Sequence, residues 1–390
     1  MPSADGQTQS ATLVALAQSG DSRAFDQLAE TYRAELRAHC YRMLGSVHDA
    51  EDALQDAMLR AWKGLAGFTG RGTVRAWLYS IATNTALDIA THRSRRELPV
   101  DFGPAAEPGA ELDPASTDVP WLEPYPDQWL APDAFEHSAS AASVASATSV
   151  PEARYEQRES IELAFVIALQ HLPPLQRAVL LLREVVGFST AEISTQLGTS
   201  PQSVNSALQR ARASVRGQRD VRNQSNQLPE PSQQTTLTRL GKQRTLAIAQ
   251  QYADAIERGD VDTLISMLTA DATWSMPPTP TWFQGHEAVR DFLVRYPLRE
   301  TWRHQTTSAN GQLALGCYLF NPAADAGNGA FVPWVIDVLT LEGEKISAVT
   351  AFLTAEAIAP PQNTPHIPGP DLFARFNLPA TPIGSVDQPE

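Results

Sequence analysis

Residues 172–216, LPPLQRAVLLLREVVGFSTAEISTQLGTSPQSVNSALQRARASVR, constrain this chain more than any other stretch. Their caps, turn and apolar spacing fit one three-helix arrangement. The first helix is apolar on one face through Val179, Leu180, Leu182 and Val186, and Gly187 ends it. Ser189 or Thr190 caps a second short helix running to Leu197, since a hydroxyl there accepts an otherwise unpaired backbone N–H. Gly198 predicts the turn. Ser200 caps a third helix with Pro201 at its first position, where a missing N–H costs nothing. Val204, Leu208, Ala211 and Val215 recur at helical spacing and are expected to face inward. Gln202, Asn205, Ser206, Gln209 and Arg210 are left outward, with the donors and acceptors that read base edges in a major groove. Arg212, Arg216, Arg219 and Arg222 suit phosphate contact. The competing reading is a plain three-helix packing unit with a solvated polar face. The agreement of caps, turn and outward polar residues favours a DNA-binding helix-turn-helix.

Residues 12–96 carry a second helical block. In 49–62, DAEDALQDAMLRAW, one face gathers Ala53, Leu54, Ala57, Met58, Ala61 and Trp62. The opposite face carries a stripe of Asp49, Asp52, Gln55 and Asp56. The loop GLAGFTGRGT follows, with Gly67, Gly70 and Gly72 around Phe68 and Arg71. In VRAWLYSIATNTALDIATHRSRR, Trp77, Leu78, Ile81, Ala82, Ala86 and Ile89 are expected to pack inward. Arg75, Tyr79, Asn84, Asp88, His92, Arg93, Arg95 and Arg96 are expected to project. Aromatics interleaved with Arg and Asn beside a flexible loop suit a strand whose bases are unstacked. Taken alone, the same pattern also describes a solvated helix end.

In this order, the two blocks resemble the extracytoplasmic-function (ECF) class of bacterial sigma-70 factors, over residues 12–96 and 158–216. The resemblance implies two all-α domains, sigma2 in 1–96 and a helix-turn-helix sigma4 in 158–222. It implies that Asp49, Glu51, Asp52, Gln55 and Asp56 dock on the β′ clamp of core RNA polymerase, with sigma4 at the β flap. It implies that Phe68, Arg71, Arg75, Asn84, Asp88, Arg93, Arg95 and Arg96 take up the melted minus-ten element of promoter DNA. Ser200, Gln202, Ser203, Asn205, Ser206, Gln209, Arg210 and Arg212 would read the minus-thirty-five element.

A net charge of −14 argues against nucleic acid only until its distribution is read. From Glu97 to Val150 there are ten acidic residues and no Lys or Arg, whereas Arg93, Arg95 and Arg96 precede that stretch and Arg210, Arg212 and Arg216 end the helix-turn-helix. Residues 97–157 thus read as an acidic linker, with the low-complexity run SASAASVASATS at 138–149. Within it VPWLEPYPDQWL, 119–130, carries more aromatic surface than a spacer needs. It is either a docking segment, on polymerase or on the chain's own C-terminal domain, or a local hydrophobic knot. Linkers of this kind are similar to those of the SigG-like branch of the family, which also has a C-terminal extension.

After a further linker at 223–237 the pattern restarts, with a helical stripe of Leu246, Ala249, Ala253 and Ile256, a short helix, a strand from Ala272 and a helix at 285–295. Strands are expected at 301–308, 311–320, 332–341 and 345–353. This α+β order, with AIERGDVDTLISMLTADATW and GHEAVRDFL, resembles the SnoaL-like branch of the nuclear transport factor 2 fold, a cone-shaped domain placed at 238–357. Pocket residues would come from Trp274, Trp282, His286, Trp302, His304, Tyr318, Trp334 and Asp337, or these are core. Some members of that branch are enzymes, yet the sequence offers no acid–base dyad. A Pro-rich tail, 358–390, carries Phe373, Phe376 and Leu378 and is expected to dock across another domain.

Cys40 and Cys317 form no disulfide or metal-ligand pattern. The opening MPSADGQTQS lacks the basic-then-apolar pattern expected of a signal peptide, and no apolar run approaches membrane-spanning length. The expectation is a cytoplasmic, non-enzymatic transcription factor of the sigma type with no cofactor or metal. Its partners are core polymerase, promoter DNA and a small-molecule or protein regulator at the C-terminal domain. The alternatives are a ligand-sensing DNA-binding regulator and a sigma factor fused to a SnoaL-like enzyme.

Overall fold

The computed structural model describes residues 4–70, 72–116, 118–130, 159–222, 232–354 and 371–382. Arg71, the run at 138–149 and the side chains of Arg219 and Arg222 lie outside the described residues. The chain divides into two compact units, Met1–Arg96 with Trp129–Gln227, and Glu97–Gln128 with Leu228–Glu390.

The first unit is all α. It opens with α1 (Ala4–Gln18), α2 (Ser22–Leu44), α3 (Val47–Gly64) and α4 (Val74–His92). Local sequence sets their starts: Asp21, Ser46 and Thr73 each accept a backbone N–H of the first turn, replacing a bond the helix cannot make there. Gly45 stops α2 at φ 67°, where a Cβ would be strained. Leu28, Leu36, Ala50, Ala53, Ala57, Leu78 and Ala82 fill the space between these helices. The helix-turn-helix follows as Leu163–Gln170, Pro174–Leu180 with a π turn to Val185, Thr190–Gln196 and Pro201–Arg222. One arginine joins the two parts of this unit. Arg177, 4% exposed, donates to the carbonyls of Leu169, Gln170, Leu172 and Met43 and to Gln170 Oε1. Gln170 donates to the Arg42 carbonyl at 3.2 Å, and Arg42 Nε to that of Ser160 at 3.1 Å. Burial pulls the Arg177 pKa down to about 10, so it remains charged at neutral pH. A buried guanidinium is tolerated only when its donors are filled in this way.

The second unit is α+β. Its six-stranded sheet comprises β1 (Leu268–Ser275), β2 (Trp282–Gln284), β3 (Trp302–Ala309), β4 (Gln312–Asn321), β5 (Ala330–Glu342) and β6 (Lys345–Leu353). The order is β2-β1-β6-β5-β4-β3, and only the β1–β6 pair is parallel. Side chains alternate along each strand. Leu313, Leu315 and Cys317 of β4 and Val335 and Leu339 of β5 join Ile248, Tyr252, Leu264 and Phe292 from the helices in one core. Those helices are Gln233–Glu257, bent at Gly241, then Val261–Met267 and Gly285–Arg295. Leu246, expected in the buried stripe, is 47% exposed beyond that bend.

Two segments read as linkers do structural work. At the end of 223–237, Ser232 caps the long helix, and the buried Gln233 side chain exchanges two hydrogen bonds with Leu341, at 3.0 and 2.7 Å. In 97–157, residues Glu97–Gln128 pack into the second unit. Ala106 N donates to the Trp282 carbonyl and Trp282 Nε1 to that of Gly103, at 2.8 and 2.9 Å. Asp113 and Thr281 exchange two bonds of 2.8 Å. Tyr125 N donates to Asn310 Oδ1 at 2.8 Å, and Asn310 N returns a bond to the Tyr125 carbonyl. Trp121, Leu122 and Tyr125 are buried and supply apolar surface that repays ordering the backbone of this segment.

Candidate nucleic-acid interface

The helix-turn-helix follows from its local chemistry. Ser189 accepts from Glu192 N, and the Glu192 carboxylate accepts from Ser189 N at 2.8 Å, a reciprocal cap. Gly198 turns the chain at φ 60°, and Ser200 Oγ accepts from Ser203 N at 3.1 Å. Val204, Leu208 and Ala211 are buried. Ser200, Gln202, Ser203, Asn205, Gln209, Arg210 and Arg216 are exposed, and Ser206 is half-buried. Arg212 is exposed too but forms an ion pair with Glu184. One polar face of a well-capped helix is therefore open to a groove.

On α3, Asp52 and Gln55 are exposed, while Glu51 and Asp56 are half-buried and Asp56 pairs with Arg60 at 2.9 Å. Trp62, expected in the core, is 36% exposed and lies against Phe25. It shares a helix face with exposed Asp52, Gln55 and Leu59. Asp49 departs from the expected stripe. Its side chain is 9% exposed and is bound by Arg93 and, at 2.6 Å, by Arg96. The basic end of α4 thus closes over the first turn of α3, and Arg93 and Arg96 are already engaged. Asp88 pairs with Arg60 at 3.1 Å, and Arg95 donates to His171 Nδ1 at 3.1 Å.

Most of the other α4 residues are engaged by the chain itself, although Asn84 is exposed. Tyr79, expected to project, is 2% exposed. Its hydroxyl donates to Glu35 at 3.2 Å, and its ring stands edge-on to His39 and Phe188. Arg75 binds both Glu35 oxygens and lies over the Tyr79 and Phe188 rings, at 4.9 and 5.5 Å. Ser80 Oγ and Asn84 Nδ2 both donate to the Gln196 carbonyl, at 3.2 and 3.3 Å. Phe188 and Gln196 belong to the helix-turn-helix, which therefore sits on this face. Phe68 is half-buried against Trp77, and its carbonyl accepts from Gln18 at 2.8 Å. Behind α4, His39 Nε2 lies 2.9 Å from Thr83 Oγ1. Burial, helped by Arg42 and Arg75, holds the His39 pKa down to about 3, so the imidazole is neutral.

In the second unit the expected pocket residues divide between the core, its margin and the surface, and the Trp302 and His304 rings lie 6.4 Å apart. His286 is exposed. Trp282 binds the 97–128 segment, and Trp302 Nε1 donates to the Pro297 carbonyl at 2.7 Å. Trp334 is half-buried, packed at the margin of the core. Tyr318 points to the opposite sheet face, where it meets Phe373. Trp274 stacks on Tyr252 inside the core. Asp337, 4% exposed, also faces that interior. Its Oδ2 accepts from Tyr252 Oη at 2.9 Å and Cys317 Sγ at 3.4 Å, and burial raises its pKa. His304 Nδ1 lies 3.0 Å from Glu257 Oε1. Sequence reasoning named His304 and Asp337 but missed Glu257, Tyr252 and Cys317. These partners come from distant elements and share no spacing with them. The tail helix Asp371–Arg375 docks on its own sheet, as do Phe376 and Leu378, so the cross-domain expectation fails for the described part of the tail.

Comparison with known proteins accords with this organisation. The Sigma-70 region 2 family matches residues 28–96, the Sigma-70, region 4 family residues 163–215, and the SnoaL-like domain family residues 249–349. The ECF RNA polymerase sigma factor SigG of Mycobacterium tuberculosis is 40% identical over 359 residues, covering 91% of this chain and 84% of that protein. SigJ of the same organism is 25% identical over 325 residues, covering 81% of this chain and 87% of that protein. The crystal structure of M. tuberculosis SigJ matches with a TM-score of 0.52 at 21% identity, over 90% of this chain and 98% of that one, and so shares the fold. No helix among the described residues is long and apolar enough to cross a membrane. With both sigma-70 regions followed by a SnoaL-like domain, and with likeness to SigG running through nearly all of its length, the chain belongs to the ECF RNA polymerase sigma factors.

Proposed function

We propose that this chain binds core RNA polymerase at its β′ clamp and β flap, directs it to promoters and helps open the DNA, in the cytoplasm and without a reaction of its own. The observation that carries the reading is the open face of Pro201–Arg222, where Gln202, Ser203, Asn205, Gln209 and Arg210 stand in solvent above a buried apolar seam. Asp52 and Gln55, also exposed, suit the clamp contact. The α4 face serves the minus-ten element once the helix-turn-helix has moved off it, which engagement with polymerase would drive by its preference for the separated arrangement. Run-off transcription with purified core polymerase tests this: transcripts should depend on the chain and vanish with Asp52→Arg/Gln55→Ala, and core-dependent transcription indifferent to that change would refute the clamp contact.

The C-terminal domain is proposed to regulate in cis, because the segment after Arg96 is folded onto it. Its interior carboxyl Asp337 is already engaged by two donors, which favours a structural rather than catalytic role. Truncation after residue 222 should change run-off output several-fold at matched core occupancy, and Trp121→Ala should reproduce part of the change. Equal output from all three proteins would remove the regulatory role.

A further inference from the structure

The outer face of the sheet, opposite Asp337, is occupied by the chain's own tail. Ala314, Gly316 and Tyr318 of β4 alternate onto this face, next to Thr307 of β3. Against them lie Leu372, Phe373, Phe376 and Leu378, all buried. The Phe373 ring stands edge-on to Tyr318 at 4.9 Å. Tyr318 Oη donates to the Pro379 carbonyl at 2.9 Å, and Thr307 Oγ1 to that of Phe376 at 3.1 Å. Gly316 makes the seat: a Cβ there would stand 2.3 Å from Leu378 Cδ1 and 3.1 Å from Phe373 Cε1. Glycine weakens a strand interior and often marks a close approach of this sort.

The same segment touches the docked linker. Gln128 Nε2 donates to the Arg375 carbonyl. One step back along the chain, Asp127 Oδ1 accepts from Gly311 N at 2.7 Å, and Pro126 forms a β-bridge with Ala309. Linker and tail, far apart in sequence, thus hold neighbouring parts of β3 and β4.

We infer that residues 371–382 are a detachable peptide latch. The outer face around Gly316 is a binding surface for a short peptide with aromatic side chains three residues apart and a leucine two residues further on, and its occupant is the chain's own tail. Covalent attachment gives the tail a high effective concentration, so contacts of modest strength keep it seated. Release of the tail removes the Gln128 contact and loosens the linker. The inference concerns binding within the second unit and does not depend on the transcription reading.

The test is limited chymotrypsin digestion after Trp121 in three folded proteins: the full chain, the chain lacking 371–390, and the full chain with Phe373→Asp/Phe376→Asp. Cleavage should be about tenfold faster in the two latter proteins, as local opening would dictate. Synthetic peptide 371–382 added to the truncated protein should restore protection, and the doubly Asp-substituted peptide should not. Unchanged cleavage, or equal rescue by both peptides, overturns the proposal. Because deletion can impair folding, a protease site within 355–370 allows the tail to be cut after folding. The freed tail should separate on gel filtration at micromolar protein, and its retention would show that the latch does not detach.

Discussion

Along Pro201–Arg222, amide, hydroxyl and guanidinium side chains face water over a row of Val204, Leu208 and Ala211. Along α4, Tyr79 is buried, Arg75 is clamped by Glu35, and Ser80 and Asn84 donate to one carbonyl of the helix-turn-helix. Both helices were expected to meet DNA, and on the proposed function they differ because of what each would recognise. A reader of duplex edges needs polar groups, which are content in water. A helix that handles unstacked bases needs aromatic and cationic surface, and in the free chain such surface seeks cover. Phe188 and the turn around it supply that cover.

Four experiments probe this contrast, in order of expected size. Arg177→Ala strips a buried hub that joins the two parts of the first unit, and should cost about 3–5 kcal/mol by denaturant unfolding, the range for breaking a buried charged network. A loss below about 1 kcal/mol would mean that Arg177 does not hold the covering arrangement together. Acid should act through His39. Its folded pKa is depressed from 6.5 to about 3, so its stabilisation is present above 6.5 and drains away as pH falls toward 3. The slope is up to about 1.4 kcal/mol per pH unit. Urea midpoints measured between pH 7.5 and 5 should fall for the native chain and flatten for His39→Gln. Asp337, raised by burial, has the opposite sign: its contribution is present at low pH and lost as pH rises through its folded value.

The exposed helix is tested by Gln209→Ala and Arg210→Ala. Each should weaken matched promoter DNA by about 1–3 kcal/mol while sparing scrambled DNA. Equal losses on both would reduce that face to phosphate contact. Smallest is Phe188→Ala, which uncovers Tyr79 and Arg75. Binding of a single-stranded minus-ten oligonucleotide by the free chain should tighten by about 0.5–1.5 kcal/mol, the worth of an aromatic pair. No change in fluorescence anisotropy would mean that the covered face does not take up that strand.

What could be read from the sequence follows the range of the interactions concerned. Ser189, Gly198, Ser200 and Pro201 act within four residues of themselves, and the helices they delimit appear where expected. Five strands of the second unit fall within a few residues of their expected places, whereas β2, Trp282–Gln284, lies where no strand was expected. Tyr79, Asp49 and Trp121 were misjudged or left open, because each is decided by a partner dozens of residues away or by a surface with no local signature. Asp337 is intermediate. Alternation put it on one face or the other, and only the arrival of Tyr252 and Cys317 shows which.

The docked segment Glu97–Gln128 changes how a promoter is measured. Left free, these thirty-two residues would pay out about 100 Å of chain at roughly 3.3 Å each, and the distance between the two promoter elements would scarcely matter. Folded onto the third domain, they contribute only the separation of two fixed points. Such a chain should tolerate fewer spacer lengths than a freely tethered one, and loosening the docked segment should broaden the set of promoters it accepts.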